Sequence, residues 1–128
     1  MRLRLAGVLI LLGAAGCAAR PASPEAPLVR LVGHPAVDGY RLTLIPAAGA
    51  RINARLPPEL ELAGGVRVRF EQTALTPDSA YFGAPPEATL ERGWHHVTGT
   101  LRVGVCPAGL NVCKALAIPI DTVFAAGS

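Results

Sequence analysis

Thr98-Gly-Thr-Leu-Arg-Val-Gly-Val-Cys106-Pro-Ala-Gly-Leu-Asn-Val-Cys113-Lys-Ala-Leu-Ala-Ile-Pro-Ile-Asp121 reads as two strands joined by a tight loop, with a cysteine at each end of the loop. Val97, Gly99, Leu101, Val103 and Val105 fall on one face of the first strand, and Thr98, Thr100 and Arg102 on the other. That is the period of a half-buried strand. Pro107, Gly109 and Asn111 then break the pattern with turn chemistry. After Cys113 the alternation resumes through Leu116, Ile118 and Ile120. Pro119 lacks a ladder donor, so the second strand is expected at a sheet edge or at a bulge. A hairpin of this kind can bring Cys106 and Cys113 within the Cα separation that a disulfide needs. Spacing alone leaves open whether such a bridge is a staple or a working redox pair.

Upstream, the same period recurs in short pieces. Leu28 to Val32 is an apolar run and reads as a first strand. Gly39 to Ile45 places Tyr40, Leu42 and Leu44 on one face, and Ala50 to Leu56 reads as a further short strand stopped by Pro57-Pro58. Leu60 and Leu62 open another segment, and the Gly64-Gly65 turn precedes Val66, Val68 and Phe70 alternating with Arg67, Arg69 and Glu71. A polar loop from Thr76 leads to Tyr81-Phe82-Gly83, and Ala88 to Glu91 reads as a last short strand before Trp94. No window outside the N-terminus carries a helical period. Short strands at close spacing with Gly and Pro between them predict an all-β, two-sheet antiparallel sandwich over residues 28–125.

The N-terminus has a different character. Arg2 and Arg4 precede an apolar run from Leu5 to Leu12, and small residues lead to Cys17. That is the layout of a secretory signal, with an apolar run too short to span a bilayer. The small-residue stretch ending on a cysteine resembles the lipobox of bacterial lipoproteins, with residues 1–17 as the signal and Cys17 as the lipidated residue; an ordinary export signal cut near Ala19 is the alternative. Residues 18–27, rich in Ala, Pro and Ser, read as a flexible tether. This reading places the domain in the bacterial cell envelope, lipid-anchored and facing the periplasm, with the membrane as a partner through the anchor.

Setting Arg2 and Arg4 aside leaves ten basic against nine acidic side chains, scattered without a dense basic run. Such a chain is not expected to bind nucleic acid. Two of the three cysteines then remain as a pair in an oxidising compartment. Closing so short a loop constrains the unfolded chain by only about 2.5 kcal/mol, on strands that a ladder already holds. The spacing is not Cys-x-x-Cys, so no helix N-terminus is expected to depress a thiol pKa. Lys114, beside Cys113, favours Cys113 as the attacking thiolate.

Tyr81 and Phe82 read either as a core plug or as a lid that limits access to the sulfurs. His95 and His96 would point to opposite faces of a strand, so a Cys-Cys-His copper or zinc site is short of ligands and no metal is expected. Ser23, Ser79 and Ser128 are the only serines, none in a nucleophile-elbow context, and no Gly-rich phosphate loop is present, so no cofactor is expected.

Gly39-x-x-Leu42-x-Leu44-x-Pro46-x-x-Gly49-x-x-Ile52-Asn53-x-x-x-Pro57 resembles the start of the N-terminal domain of the thiol:disulfide interchange protein DsbD and its relatives. Gly99-Thr-Leu-Arg-Val-Gly-Val-Cys106, a short Gly-containing loop and Cys113 followed by an apolar strand resemble its end, so the likeness runs from about Leu28 to Phe124. The resemblance implies an immunoglobulin-like sandwich whose cysteine pair shuttles between dithiol and disulfide by exchange with periplasmic or membrane thiol-disulfide proteins. It implies that Cys106 and Cys113 are the redox pair and that Tyr81 and Phe82 form a cap loop over them. A binding or scaffold module with the same fold and a structural disulfide is the competing expectation.

Overall fold

A computed structural model describes residues 27–124. The signal segment, Cys17 and residues 18–26 of the tether lie outside the described residues. Eight strands follow in order: β1 (Val29–Ala36), β2 (Gly39–Pro46), β3 (Arg51–Ile52), β4 (Glu59–Leu62), β5 (Arg67–Arg69), β6 (Glu87–Glu91), β7 (His96–Cys106) and β8 (Lys114–Val123). They form two antiparallel sheets, β1-β2-β6 and a second built on β7. β8 pairs with one edge of β7 from His96 to Val105, while β4 and β3 share the other edge, and β5 extends the sheet beyond β4. The first, second and sixth strands in one sheet, with β8-β7-β4-β5 in the other, reproduce the strand order of an immunoglobulin-like sandwich.

The alternation read in the sequence is the one that packs. Leu42, Leu44 and Tyr40 of β2 and Leu90 of β6 face Val97, Leu101, Val103 and Val105 of β7 across a buried core, with Leu60 and Leu62 from β4. Phe124, at the end of the described chain, sets its ring 5.2 Å from that of Tyr40. β8 has β7 as its one ladder partner among the described residues, which is the edge position that Pro119 requires.

Two segments differ from the sequence expectation. The strand expected over Ala50 to Leu56 is reduced to Arg51–Ile52. Asn53 ends it, because its Oδ1 accepts the backbone N–H groups of Arg55 at 2.8 Å and Leu56 at 3.4 Å and turns the chain. The amphipathic run through Val66, Val68 and Phe70 is also uneven: Val66 is exposed and Phe70 fully buried. The chain crosses between sheets just after β5. Glu71 and Glu87 exchange backbone hydrogen bonds of 2.8 and 2.9 Å, and this crossing carries the Phe70 ring into the core.

Truncating that ring is therefore expected to be costly. Phe70→Ala should lower the unfolding free energy by about 3–5 kcal/mol, against the roughly 5–15 kcal/mol typical of a domain. Urea unfolding should show a lower midpoint with an unchanged slope. An unchanged midpoint would mean that Phe70 does not close the core at the crossing.

Candidate functional site

Cys106 is the last residue of β7, and Cys113 immediately precedes β8; the two are joined in a disulfide. Val105 and Lys114 are the last ladder pair below the bridge, so the bond clips strands that are already hydrogen-bonded. The two cysteines differ sharply in environment. Cys106 is 1% exposed, whereas Cys113 is exposed. Between them the loop turns through Gly109 at φ 72° and leaves Leu110 and Val112 open to solvent. The loop rests on the β2–β3 turn, where Gly49 at φ 75° faces the Ala108 side chain and a Cβ would stand 2.8 Å from it.

The pleat decides what shares a face with the sulfurs. Val105 points into the core, so Cys106, Gly104 and Arg102 belong to the outer face of the sheet. Arg51 is the cross-strand partner of Cys106 and lies on that same face. Its guanidinium stacks over the ring of Tyr81, 4.0 Å from the centroid. Lys114, by contrast, stands opposite core-facing Val105. The cation in register with a cysteine is Arg51, and nothing in the sequence spacing points to it.

Tyr81 and Phe82 do not form a common lid. The segment continues the sheet as a further ribbon: Phe82 N–H donates to Ile52 O at 3.1 Å, Ala54 N–H to Ala80 O at 2.9 Å, and Asn53 pairs with Tyr81. Register then sends the two rings apart. Tyr81 takes the outer face with Arg51, while Phe82 packs against the core beside Ile52. Tyr81 is two strands away from β7, roughly 10 Å at the usual strand spacing, and Arg51 fills the interval.

A tight turn holds the ribbon. Thr76 Oγ1 donates to Asp78 Oδ1 at 2.6 Å, Ala80 N–H donates to the same oxygen at 3.1 Å, and Tyr81 N–H donates to Thr76 Oγ1 at 3.2 Å. Ser79 takes φ 57° at the turn. The Thr76 hydroxyl, and then the Ala80 N–H, hold the Asp78 carboxyl below the usual carboxylate range.

The histidines are elsewhere. Both His95 and His96 are exposed, and His96 pairs with Asp121. Ten residues of extended strand, about 33 Å, separate His96 from Cys106. Both histidines therefore lie at the end of β7 away from the Cys106–Cys113 bridge and share no site with it. No family model, curated protein or solved structure matches the chain.

Acid should loosen the Tyr81 ribbon before it unfolds the sandwich. A depressed carboxyl contributes stability that is present above its unfolded pKa and lost as pH falls through the lower folded value. The local amide exchange of Ala80 and Tyr81, corrected for intrinsic rates, should therefore rise in that acid window, with β7 amides still protected. Asp78→Asn should show the raised exchange already at neutral pH. Unchanged exchange in both experiments would remove the Thr76–Asp78 turn as the device that holds Tyr81 in place.

Proposed function

We propose that this protein is a thiol-disulfide exchange domain of the bacterial cell envelope, related to the N-terminal domain family of DsbD and held to a membrane through lipidated Cys17. The single observation that carries the reading is the asymmetry of the bridge. An exposed Cys113 is bonded to a buried Cys106 at the tip of a hairpin that its own ladder already holds. A bridge in that place adds little to the fold and offers one sulfur to a partner.

The exchange follows from that geometry. A thiolate of a partner dithiol attacks Cys113 Sγ, and the disulfide electrons leave with Cys106 Sγ. Arg51 lies in register with the leaving sulfur, and a cation there favours the thiolate. The second partner thiol then attacks its own sulfur in the mixed disulfide and releases Cys113. Two electrons and two protons pass from the partner dithiol to Cys106 and Cys113, and the partner becomes a disulfide. In the reverse direction Cys113 attacks a partner disulfide and Cys106 resolves the intermediate. Arg51, held by its stack on Tyr81, is the side chain beside the buried sulfur, while Phe82 anchors the ribbon from the core side.

The test is the reduction potential of the Cys106–Cys113 bridge, measured by equilibration in thiol buffers with the fold monitored. An exchange-active pair should lie above about −300 mV, with the sandwich intact after reduction. Cys113→Ser should abolish exchange, and Cys106→Ser should trap a stable mixed disulfide through Cys113. A potential below that range, or unfolding on reduction, would make the bridge a structural staple and the domain a binding module.

A further inference from the structure

Next to the bridge the outer face of the second sheet carries an open groove of about 270 Å³. Its floor is made of small residues, Gly104 in register with Ala115, and Ala117, which lies opposite Arg102. Leu56 and Pro57 form its wall, thrown over the sheet by the Asn53 turn. Gly104 packs closely on its neighbour, and a Cβ there would stand 3.2 Å from that of Asn53. Leu56 is 72% exposed at the groove, and Leu110 and Val112 of the cysteine loop are exposed as well, apolar side chains that nothing among the described residues covers.

Charge frames this apolar floor. Arg102 lines the groove, and Arg51 stands outside the lining, in register with Cys106 and stacked on Tyr81, four residues of strand or about 13 Å from the level of Arg102. Neither makes an ion pair among the described residues. Glu59, the ladder partner of Arg102, places its carboxylate 3.6 Å from Arg67 instead. Asp78 is engaged by Thr76 and Ala80, with the guanidinium of Arg55 on its backbone carbonyl. The groove thus has one cation, Arg102, in its lining and a second, Arg51, outside it beside the bridge, and its floor begins two residues from the cysteines.

We infer that this groove seats an extended, acidic segment of the exchange partner, with an apolar side chain two residues from the partner's reacting cysteine. The inference rests on the exchange reading and names the chemistry of its partner. Gly104 and Ala115 lie two residues from Cys106 and Cys113, about 7 Å along the strand. A partner cysteine placed on Cys113 therefore sets its own second neighbour over that floor. Carboxylates flanking the apolar residue meet Arg51 and Arg102, which steers encounter and fixes register.

The oxidised protein tests this with synthetic peptides, each holding one cysteine. One has leucine two residues from the cysteine and flanking glutamates; the second replaces glutamate by lysine, and the third replaces leucine by serine. Mixed-disulfide formation is followed by mass spectrometry, and rates are normalised to the thiolate fraction of each peptide. The glutamate peptide should react about tenfold faster than the lysine peptide near 0.01 M salt, and that ratio should collapse near 1 M salt, where screening shortens to about 3 Å. The serine peptide should be slower than its leucine parent at both salt concentrations. Arg102→Gln and Ala115→Glu, at two exposed positions of the groove, should lower the glutamate preference severalfold.

Equal rates for the three peptides would overturn the groove and leave exchange itself standing. No reaction with any of them would remove the exchange reading and the groove together. A monomer–dimer equilibrium abolished by Ala115→Glu would assign the groove to a second copy of the chain and overturn the proposal.

Discussion

β7 is the constraint on which the rest of the structure depends. It is hydrogen-bonded on both edges, along one by β8 and along the other by β4 and then β3. Its inward residues Val97, Leu101, Val103 and Val105 are buried against β2 and β6. Burial of such side chains contributes about 1.5–3 kcal/mol each, so the register of this strand is strongly specified. A slip by one residue would exchange them for Thr98, Arg102 and Gly104. The position of everything in the second sheet follows from that register.

The same pleat fixes the chemistry at the end of the strand. With Val105 committed to the core, Cys106 emerges on the outer face, and Arg51 is brought opposite it by the two residues of β3. β3 is short because Asn53 captures two backbone donors, yet it is long enough to carry the Tyr81 ribbon on its far edge. The cysteine, the arginine and the tyrosine thus lie on neighbouring strands of one surface, linked by ladder bonds and by the stack of Arg51 on Tyr81. A change at the aromatic ribbon reaches the buried cysteine through a single cation.

The asymmetry of the bridge and the groove beside it are two consequences of one arrangement. Cys106 lies within the sheet and is covered, whereas Cys113 precedes the ladder and is not. The turn at Asn53 that shortens β3 also lays Leu56 and Pro57 across the small residues next to the bridge. In the proposed exchange, the first feature selects which sulfur a partner attacks, and the second gives the partner a place to lie while it does so. Chemistry and recognition then share one face, with the core-facing side left to hold the fold.

Much of the molecule was legible in local pattern. A period of two over Val97 to Val105 and over Leu116 to Ile120, punctuated by Pro107 and Gly109, was enough for the hairpin, for all-β architecture and for the Cys106–Cys113 pairing. Pro119 announced the edge strand, because a missing donor is a local property. What the sequence could not reveal is anything that depends on which distant strands become neighbours. Arg51 meets Cys106 across 55 positions of chain, and Tyr81 meets Arg51 only because both flank β3. Phe82 and Tyr81 stand side by side in the chain and part across the sheet, a separation set by a ladder that no local period encodes. His95 and His96, close to the cysteine strand in sequence, stand at its far end because an extended strand converts ten residues into about 33 Å. Periodicity specifies what each strand buries; only closure of the two sheets decides which side chains share the surface that remains.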